Sequence, residues 1–235
     1  MKPAAPNTKT TFDAYASAYD SALAQGLAVS GEDKSYFIHG RIAWLSHCLR
    51  SMDGAFRHVL DFGCGTGAAT PYFFELLGND SVTGVDLSTE SLAIANKTHG
   101  TLRARFLHYH EYQPAEREDL VFCNGVFHHI PIQQRGDAVA FAHRSLRRGG
   151  AFSFWENNPW NPGARLVMSR IPFDRDAIMI SAPQARKLLK SCGFEIIRTD
   201  FLFIFPRILS FLRRLERRLS PLPLGAQYQI LCRKS

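Results

Sequence analysis

The sequence lacks the patterns that mark a secreted, disulfide-stabilised or membrane-spanning protein. Its 235 residues contain five widely spaced cysteines and no Cys-x-x-Cys pair. Neither a disulfide framework nor a metal site is therefore predicted. No apolar run approaches the roughly 20 residues of a membrane-spanning helix, and the first residues hold no apolar signal-peptide core. We therefore expect a cytoplasmic protein.

Internal repeats and low-complexity tracts are also missing, and the length suits one domain with a sizeable core rather than two. A single domain over residues 1–235 is predicted, with a disordered lead-in at 1–10. Apolar residues at helical spacing predict helices within 12–50. Residues 157–180, rich in Pro, Asn and Arg, interrupt the later pattern and predict an inserted loop or cap.

Strand-like and helix-like segments alternate through the middle of the chain. Predicted strands occupy 58–61, 81–86, 104–108, 120–123, 151–155, a segment beginning at 193, and 227–232. Predicted helices occupy 68–77, 89–98, 134–146 and 183–192. Such alternation predicts an α/β fold, with a parallel sheet and helices on both faces.

A glycine-rich turn follows the first predicted strand. Gly63, Gly65 and Gly67 alternate there, and Asp86 ends the next strand 23 residues after Gly63. Glycines let the backbone approach a ligand closely, and an acid at this distance can accept the ribose hydroxyls of an adenosine group. Together they predict a nucleotide-like cofactor.

Two cofactor classes share this arrangement. Gly63, Gly65 and Ala68 satisfy the dinucleotide pattern G-x-G-x-x-G/A. Three features argue against a nicotinamide: the negative charge of Asp61 beside the turn, the third glycine Gly67, and the lack of a second domain. A nicotinamide oxidoreductase remains the rival enzyme class.

Four segments in order carry a resemblance to a known family. They are 59–67 (VLDFGCGTG), 84–88 (GVDLS), 119–131 (DLVFCNGVFHHIP) and 146–150 (LRRGG). These motifs resemble those of the class I S-adenosylmethionine-dependent methyltransferases. The resemblance implies a Rossmann-like, seven-stranded, mostly parallel sheet with helices on both faces. It also implies a helical N-terminal cap at 12–50 and small cap insertions at 157–180 and 201–225.

The resemblance further implies how S-adenosylmethionine is held. The implied cofactor-binding residues are Tyr19, Asp61, Gly63, Cys64, Gly65, Asp86, Leu87, Tyr109, His110 and Asn124. The turn would offer N–H groups to the methionine carboxylate, and Asp61 would place a negative field near the ammonium and sulfonium. Tyr19 is a candidate contact to that carboxylate, and simple helix packing is the competing interpretation of this residue. Arg41 is interpreted as solvated rather than paired with the carboxylate.

The acceptor side rests on residues that follow strands four and five. His128 and Glu156 are the catalytic candidates, and His129 and Trp160 are the candidates for acceptor contact. For the first two, a structural hydrogen bond at a strand end is the competing interpretation. Because methyl transfer occurs at an already activated sulfonium, a base is needed only when the acceptor keeps its proton.

Positive charge is concentrated late in the chain. The net charge is +7, and the segment 201–220 alone holds five arginines and one glutamate. Residues 206–219 predict an amphipathic helix. One interpretation is a cap whose apolar face packs on the sheet while its arginines are solvated. The other is contact with an anionic membrane or a lipid-linked acceptor. Nucleic acid is not predicted as a partner.

These observations predict an enzyme that methylates a small-molecule acceptor. Oxygen is the expected site, in secondary or in glycan and lipid metabolism. Nitrogen or carbon acceptors are the alternative, as is a non-catalytic partner protein that binds S-adenosylmethionine without transferring its methyl group.

Overall fold

The computed structural model describes residues 26–52, 54–174 and 177–235. The α-helices are α1 Lys34–Leu49, α2 Thr70–Leu77, α3 Thr89–His99, α4 Arg135–Ser145, α5 Pro162–Arg170, α6 Ala182–Ser191 and α7 Glu216–Leu219. The strands are β1 His58–Phe62, β2 Ser81–Asp86, β3 Ala104–His108, β4 Glu118–Asn124, β5 Leu146–Asn157, β6 Phe194–Leu202 and β7 Gln227–Lys234. Short 3₁₀ turns lie at Ala28–Ser30, Phe127–His129, Ile132–Gln134, Pro172–Asp174 and Arg207–Leu215.

The seven strands form one sheet in the order β3-β2-β1-β4-β5-β7-β6. The pairs from β3 to β5 are parallel, whereas β7 runs antiparallel to both β5 and β6. The predicted α/β fold with a seven-stranded, mostly parallel sheet is confirmed. The order reverses at β1, which lies between β2 and β4, and ligands of open α/β sheets bind beside the strand ends at such a point.

Side chains alternate between the two faces along each strand, and helices cover both faces. Both faces of the sheet are therefore buried. On one face, Val59 and Leu120 pack with Ile42 and Leu45 of α1. On the other, residues such as Val121 join a core formed with α4 and α6. The central strands are consequently apolar at nearly every position, so a polar residue such as Asp61 stands out there.

Helix α1 begins at Lys34, because the Asp33 carboxylate caps it. That side chain accepts a hydrogen bond from the backbone N–H of Tyr36 at 2.8 Å, which satisfies one of the unpaired donors of the first turn. Tyr19 and the first predicted helix lie outside the described residues.

Residues 157–180, predicted as an inserted loop or cap, contain α5, which begins at Pro162 with Asn161 as its cap. The expectation for the next segment was wrong. Residues 206–219 do not form one α-helix: most of the segment is 3₁₀, with a non-helical backbone at Leu209. Strand β5 also extends further than its apolar run, from Leu146 to Asn157. Within the described part of the chain, no helix combines the length and apolar character needed to cross a bilayer.

Candidate active site

One cavity of about 640 Å³ opens at the carboxyl ends of the central strands. We call one part of its wall the acidic half: Asp61 from β1, Asp86 from β2, Asn124 from β4, and residues 63–66 of the glycine turn. We call another part the histidine half: His128, His129 and Asp174. The fold therefore brings both predicted groups of residues to a single space.

The glycine turn is shaped by close packing as well as by its backbone conformation. Gly63 has a φ of +75°, and a Cβ there would lie 2.2 Å from Val126 Cγ2, so a larger residue does not fit. Gly65 has a φ of +52°, with nothing within 4 Å of the corresponding position. Gly65 thus leaves space at the cavity wall that a side chain would fill.

The N–H groups of this turn are directed differently from the prediction. The amides of Gly63 and Cys64 both donate to the carbonyl of Val85, at 2.8 Å and 3.1 Å. Gly65 N–H donates to Asp86 Oδ2 at 2.8 Å. These three donors therefore fix the turn against β2 instead of pointing into the cavity.

Asp86 connects the second strand to the turn. Its Oδ1 accepts from Ser88 N–H at 2.9 Å, and its Oδ2 accepts from Gly65 N–H. A carboxylate has about four acceptor positions. These two hydrogen bonds hold the carboxylate at the end of β2, on the wall of the cavity.

Asp61 is buried, with only 3% of its surface exposed. Burial first, and then the nearby charge of Asp86, raise its pKa to about 7, although the positive charge of Arg41 opposes them. Arg41 is itself buried, and its Nη1 donates to Gln227 Oε1 at 2.9 Å. The interpretation of Arg41 as a solvated residue was therefore wrong.

The histidine half contains a buried network of charged groups. His128 Nδ1 lies 2.6 Å from Glu156 Oε2, and its Nε2 lies 3.4 Å from Asp174 Oδ1. His129 Nε2 lies 3.1 Å from the same Asp174 oxygen. Glu156 also accepts from Phe127 N–H at 2.7 Å, which holds it in place.

The two carboxylates determine the charge of His128. Burial alone would lower its pKa, but Glu156 and Asp174 outweigh that effect and raise the pKa to about 10. Burial alone would likewise raise the pKa of Asp174, but hydrogen bonds from His128 and His129 lower it overall. A protonated His128 donates at both ring nitrogens and has no lone pair with which to accept a proton.

Other predicted residues differ in whether they reach the cavity. Cys64, Leu87 and Tyr109 line it, and Tyr109 packs its ring 4.5 Å from that of Phe141. Neither His110 nor Glu156 belongs to the described wall, and Glu156 lies behind His128.

Trp160 is more than half exposed and also lies outside the described cavity wall. Its neighbour Asn158 is buried, and the Asn158 amide donates to the carbonyls of Pro223 and Gly225 at 3.1 Å and 2.9 Å. Asn158 thus joins the loop after β5 to the loop before β7.

The sequence predictions missed the cap residues that face the cavity. These residues come from α1, from α5 and from the turn that follows α5: Phe37, Ile38, Val167, Met168, Ile171, Phe173 and Asp174. A helical apolar spacing over 162–171 was a usable signal for the α5 group. Nothing local in the sequence distinguishes Asp174 from an ordinary surface aspartate.

Comparisons with known proteins agree with this geometry. A profile described as a methyltransferase domain matches residues 59–150. A trans-aconitate 2-methyltransferase of Rhizobium etli is 35% identical over 75 residues, covering 32% of this chain and 29% of that protein. One from an Acidovorax species is 24% identical and covers 71% of each chain. A solved S-adenosylmethionine-dependent methyltransferase of Archaeoglobus fulgidus superposes with a TM-score of 0.65 at 15% identity, covering 86% and 95% of the two chains.

Residues 59–150 carry a methyltransferase domain, and the fold resembles that of solved S-adenosylmethionine-dependent methyltransferases. The cofactor of this family is S-adenosylmethionine. The first curated relatives are matched over less than a third of their own length. The matched domain, residues 59–150, carries the glycine turn and β4.

The side chains of the acidic half fit S-adenosylmethionine independently of the comparisons. Asn124 Oδ1 is buried and has no hydrogen-bond partner among the described residues, although buried polar atoms are normally paired. It lines the cavity together with the buried Asp61. An acceptor and a buried acid at one wall suit the ammonium and sulfonium charges of the cofactor.

Proposed function

We propose that this methyltransferase transfers the methyl group of S-adenosylmethionine to an oxygen atom of a small-molecule acceptor. The observation that carries the proposal is the single cavity, which extends from the acidic half to the histidine half. A cofactor held in the acidic half directs its reactive end along this space. The walls around the histidine half include Met168 and Phe173, which suits a compact acceptor.

Each polar group of the acidic half has a proposed role. Asp86 accepts the ribose hydroxyls, Asn124 Oδ1 accepts from the ammonium, and Asp61 places a negative charge near both cationic centres. Leu87 and Tyr109 flank the adenine side. Roles for Tyr19 and His110 at the cofactor stay predictions.

When bound, the cofactor supplies a methyl group already activated by a positive sulfur. The protein must position the acceptor and exclude water, which accounts for much of the rate enhancement in such a displacement. We propose that His128 and His129 contact the acceptor. Glu156 acts through the His128 ring and is a positioning residue rather than a catalytic one.

Acidic acceptors are the first class to test. Four of the curated relatives are named trans-aconitate 2-methyltransferases, a name that denotes a carboxylic acid acceptor. In this chain, Lys34 and Arg41 line the cavity and are the candidates for pairing with an acceptor carboxylate. Acceptors from secondary, glycan or lipid metabolism form the second class.

Calorimetry tests the cofactor assignment. The wild-type chain is titrated with S-adenosylmethionine, with its demethylated product and with NAD. We expect binding of the first two only. Asp86→Ala should weaken that binding by about 100-fold, because each lost hydrogen bond to a charged group contributes about 1.5–3 kcal/mol. The matched control is Asp80→Ala, a surface aspartate with more than half of its side chain exposed.

Transfer is tested separately with labelled cofactor. The label should reach small acids, including trans-aconitate, or a component of a cell extract. Recovery of an N- or C-methylated product would show that nitrogen or carbon, and not oxygen, is the methylated atom of the acceptor. Cofactor binding without transfer to any acceptor would support the non-catalytic alternative, and binding of NAD alone would support the oxidoreductase.

A surface segment supports a second proposal about partners. Ile208 is 84% exposed and Phe211 is 71% exposed, so the prediction that this apolar face packs on the sheet was wrong. Arg213 contacts the protein instead: it pairs with Glu32 at 2.8 Å and lies 4.6 Å from the centre of the Tyr36 ring. We propose that segment 207–219 rests on an anionic membrane, with these apolar side chains inserted.

Liposome sedimentation tests this contact. We expect the wild-type chain to pellet with anionic vesicles at low salt and to stay in solution with neutral ones. Ile208→Glu with Phe211→Glu should abolish pelleting. Leu102→Glu is the control, since Leu102 is a fully exposed leucine in the turn before β3. Equal pelleting of the double variant and the wild type would refute the contact.

We also infer that the protein works in the cytoplasm. All five cysteines are free, including the buried Cys48, Cys123 and Cys232, which suits a reducing compartment. Fractionation of the source cells tests this location, and recovery from an oxidising compartment would contradict it.

A further inference from the structure

A compact group of metal-ligating side chains lies in the histidine half. His128 and His129 belong to the 3₁₀ turn that follows β4, and Asp174 ends the 3₁₀ turn that follows α5. One ligand atom from each of the three lies within 4.8 Å of the others. Two imidazoles and one carboxylate form a ligand set that suits first-row transition metals.

The distances suit a shared ion. Ligand atoms in sites of this kind lie about 2.0–2.2 Å from the metal, which places neighbouring ligand atoms about 3–3.5 Å apart. The two distances to Asp174 Oδ1 are 3.4 Å from His128 Nε2 and 3.1 Å from His129 Nε2. These atoms therefore need little movement to surround one ion.

Glu156 supplies the support that metal-binding histidines commonly have. It contacts His128 Nδ1 at 2.6 Å, and its other oxygen accepts from Phe127 N–H. A carboxylate in this position fixes the ring and its tautomer, so that Nε2 faces the metal. Glu156 and Asp174 thus contact opposite edges of one imidazole, and only Asp174 is shared with His129.

The three side chains also leave room for further ligands. All of them line the same cavity as Asp61 and the glycine turn. Three protein ligands leave coordination positions for oxygen atoms from the cavity side. The spacing of His128, His129 and Asp174 in the sequence does not indicate a metal site. The sequence analysis predicted that the chain has none.

We propose that His128, His129 and Asp174 bind a single divalent transition-metal ion at the acceptor end of the cavity. The ion replaces the proton that His128 Nε2 otherwise shares with Asp174. Its use in catalysis rests on the proposed function. There it coordinates the acceptor oxygen and makes its proton easier to lose. The new bond joins that oxygen to the methyl carbon, the C–S electron pair stays on sulfur, and the acceptor proton passes to water.

Calorimetric titration of the metal-free chain with Zn²⁺ and Co²⁺ tests the site directly. We expect one ion to bind the wild-type chain. His129→Ala and Asp174→Asn should each weaken binding at least tenfold, and Glu156→Gln should weaken it by about 10–100-fold through the His128 ring. His58→Ala is the matched control, since His58 is exposed at the start of β1. His129 is partly exposed, so its loss should leave the fold intact, as a thermal melt will check.

The outcomes separate this proposal from the proposed function. Failure of both metals to bind the wild-type chain would refute the site, and the hydrogen-bonded network alone would then account for the cluster. Unchanged binding in both His129→Ala and Asp174→Asn would also refute it. S-Adenosylmethionine is titrated into the same samples without metal. Cofactor binding without metal binding would reject only the ion, whereas metal binding without cofactor binding would reject only the proposed function.

Discussion

The acidic half of the cavity is built from neighbouring strand ends, whereas the histidine half joins segments that are far apart in the chain. Asp61 and the glycine turn are adjacent in sequence, and Asp86 follows within 25 residues. His128 and Asp174 are separated by 46 positions and meet only when the turn after α5 folds over the sheet. The first half therefore depends on the backbone geometry of strand ends that are neighbours in the sheet, including β4 with Asn124, and the second depends on tertiary packing of charges.

The largest expected effect comes from the charge network of the histidine half. Glu156→Ala leaves His128 with one carboxylate fewer and leaves Phe127 N–H without its acceptor. Removing one partner of a buried ion pair costs about 3–5 kcal/mol, and denaturant unfolding should measure a loss of that size. Glu195→Ala, an exposed position on β6, is the control. If Glu156→Ala lowers the free energy of unfolding by less than about 1 kcal/mol, the ion pairs do not stabilise the histidine half.

The next effect concerns the backbone of the acidic half. Gly63→Ala combines a left-handed φ with a contact of 2.2 Å to Val126. We expect it to lower the free energy of unfolding by about 2–4 kcal/mol. Gly125→Ala is the matched variant, since its φ is +67° but its nearest contact would be 3.6 Å. Strain alone should cost it about 1–2 kcal/mol, and equal losses in both variants would contradict the role of close packing.

A pH dependence follows from Asp61. Its pKa of about 7 in the ligand-free chain reflects burial and Asp86, opposed by Arg41. A cationic ligand favours the ionised carboxylate, so a proton must leave Asp61 before binding at lower pH. Affinity for S-adenosylmethionine should fall about tenfold per pH unit below 7 and level off above it.

Calorimetry of Asp61→Asn provides the control for this titration. The variant should bind the cofactor more weakly at pH 8 and lose the pH dependence. An unchanged slope in Asp61→Asn would assign the titration to another group.

The smallest effect is expected at the edge of the histidine half. Trp160 lies outside the described cavity wall, whereas Phe173 belongs to it. Trp160→Ala should change stability by less than about 0.5 kcal/mol and leave the KM for the acceptor unchanged. Phe173→Ala should raise that KM several-fold, as steady-state kinetics will measure. A raised KM in Trp160→Ala would restore its predicted contact with the acceptor.

The sequence predicted the sheet well because its strands are short apolar runs between glycines and helical patterns. The bounds of β2 and β3 agree with the prediction, and Asp61, Asp86 and Asn124 follow from the strands that carry them. The acceptor of the Gly63 and Cys64 N–H groups could not be predicted from the sequence. Both groups donate to the carbonyl of Val85, and this contact depends on how closely the ends of β1 and β2 approach each other.

Segment 207–219 and the partners of His128 were harder to predict for a shared physical reason. Amphipathic spacing shows which side chains share the apolar face of a segment. It does not show whether that face packs against the rest of the protein or is exposed. Here Arg213 and Arg217 contact Glu32 and His47, while the apolar Ile208 and Phe211 are exposed. Likewise, a pair of histidines in sequence gives no indication that Glu156 and Asp174 lie at opposite edges of one ring.

The position of β7 has a consequence for how the chain folds. It lies between β5 and β6, and β6 joins the sheet through β7 alone. Its pairs reach far along the chain, as Phe152 does with Cys232, and such non-local pairings form slowly because a long loop must close first. Before β7 docks, β5 is an unpaired edge that other chains can join. Refolding yield should therefore fall with protein concentration, with insertion of the last strand as the step that competes with aggregation.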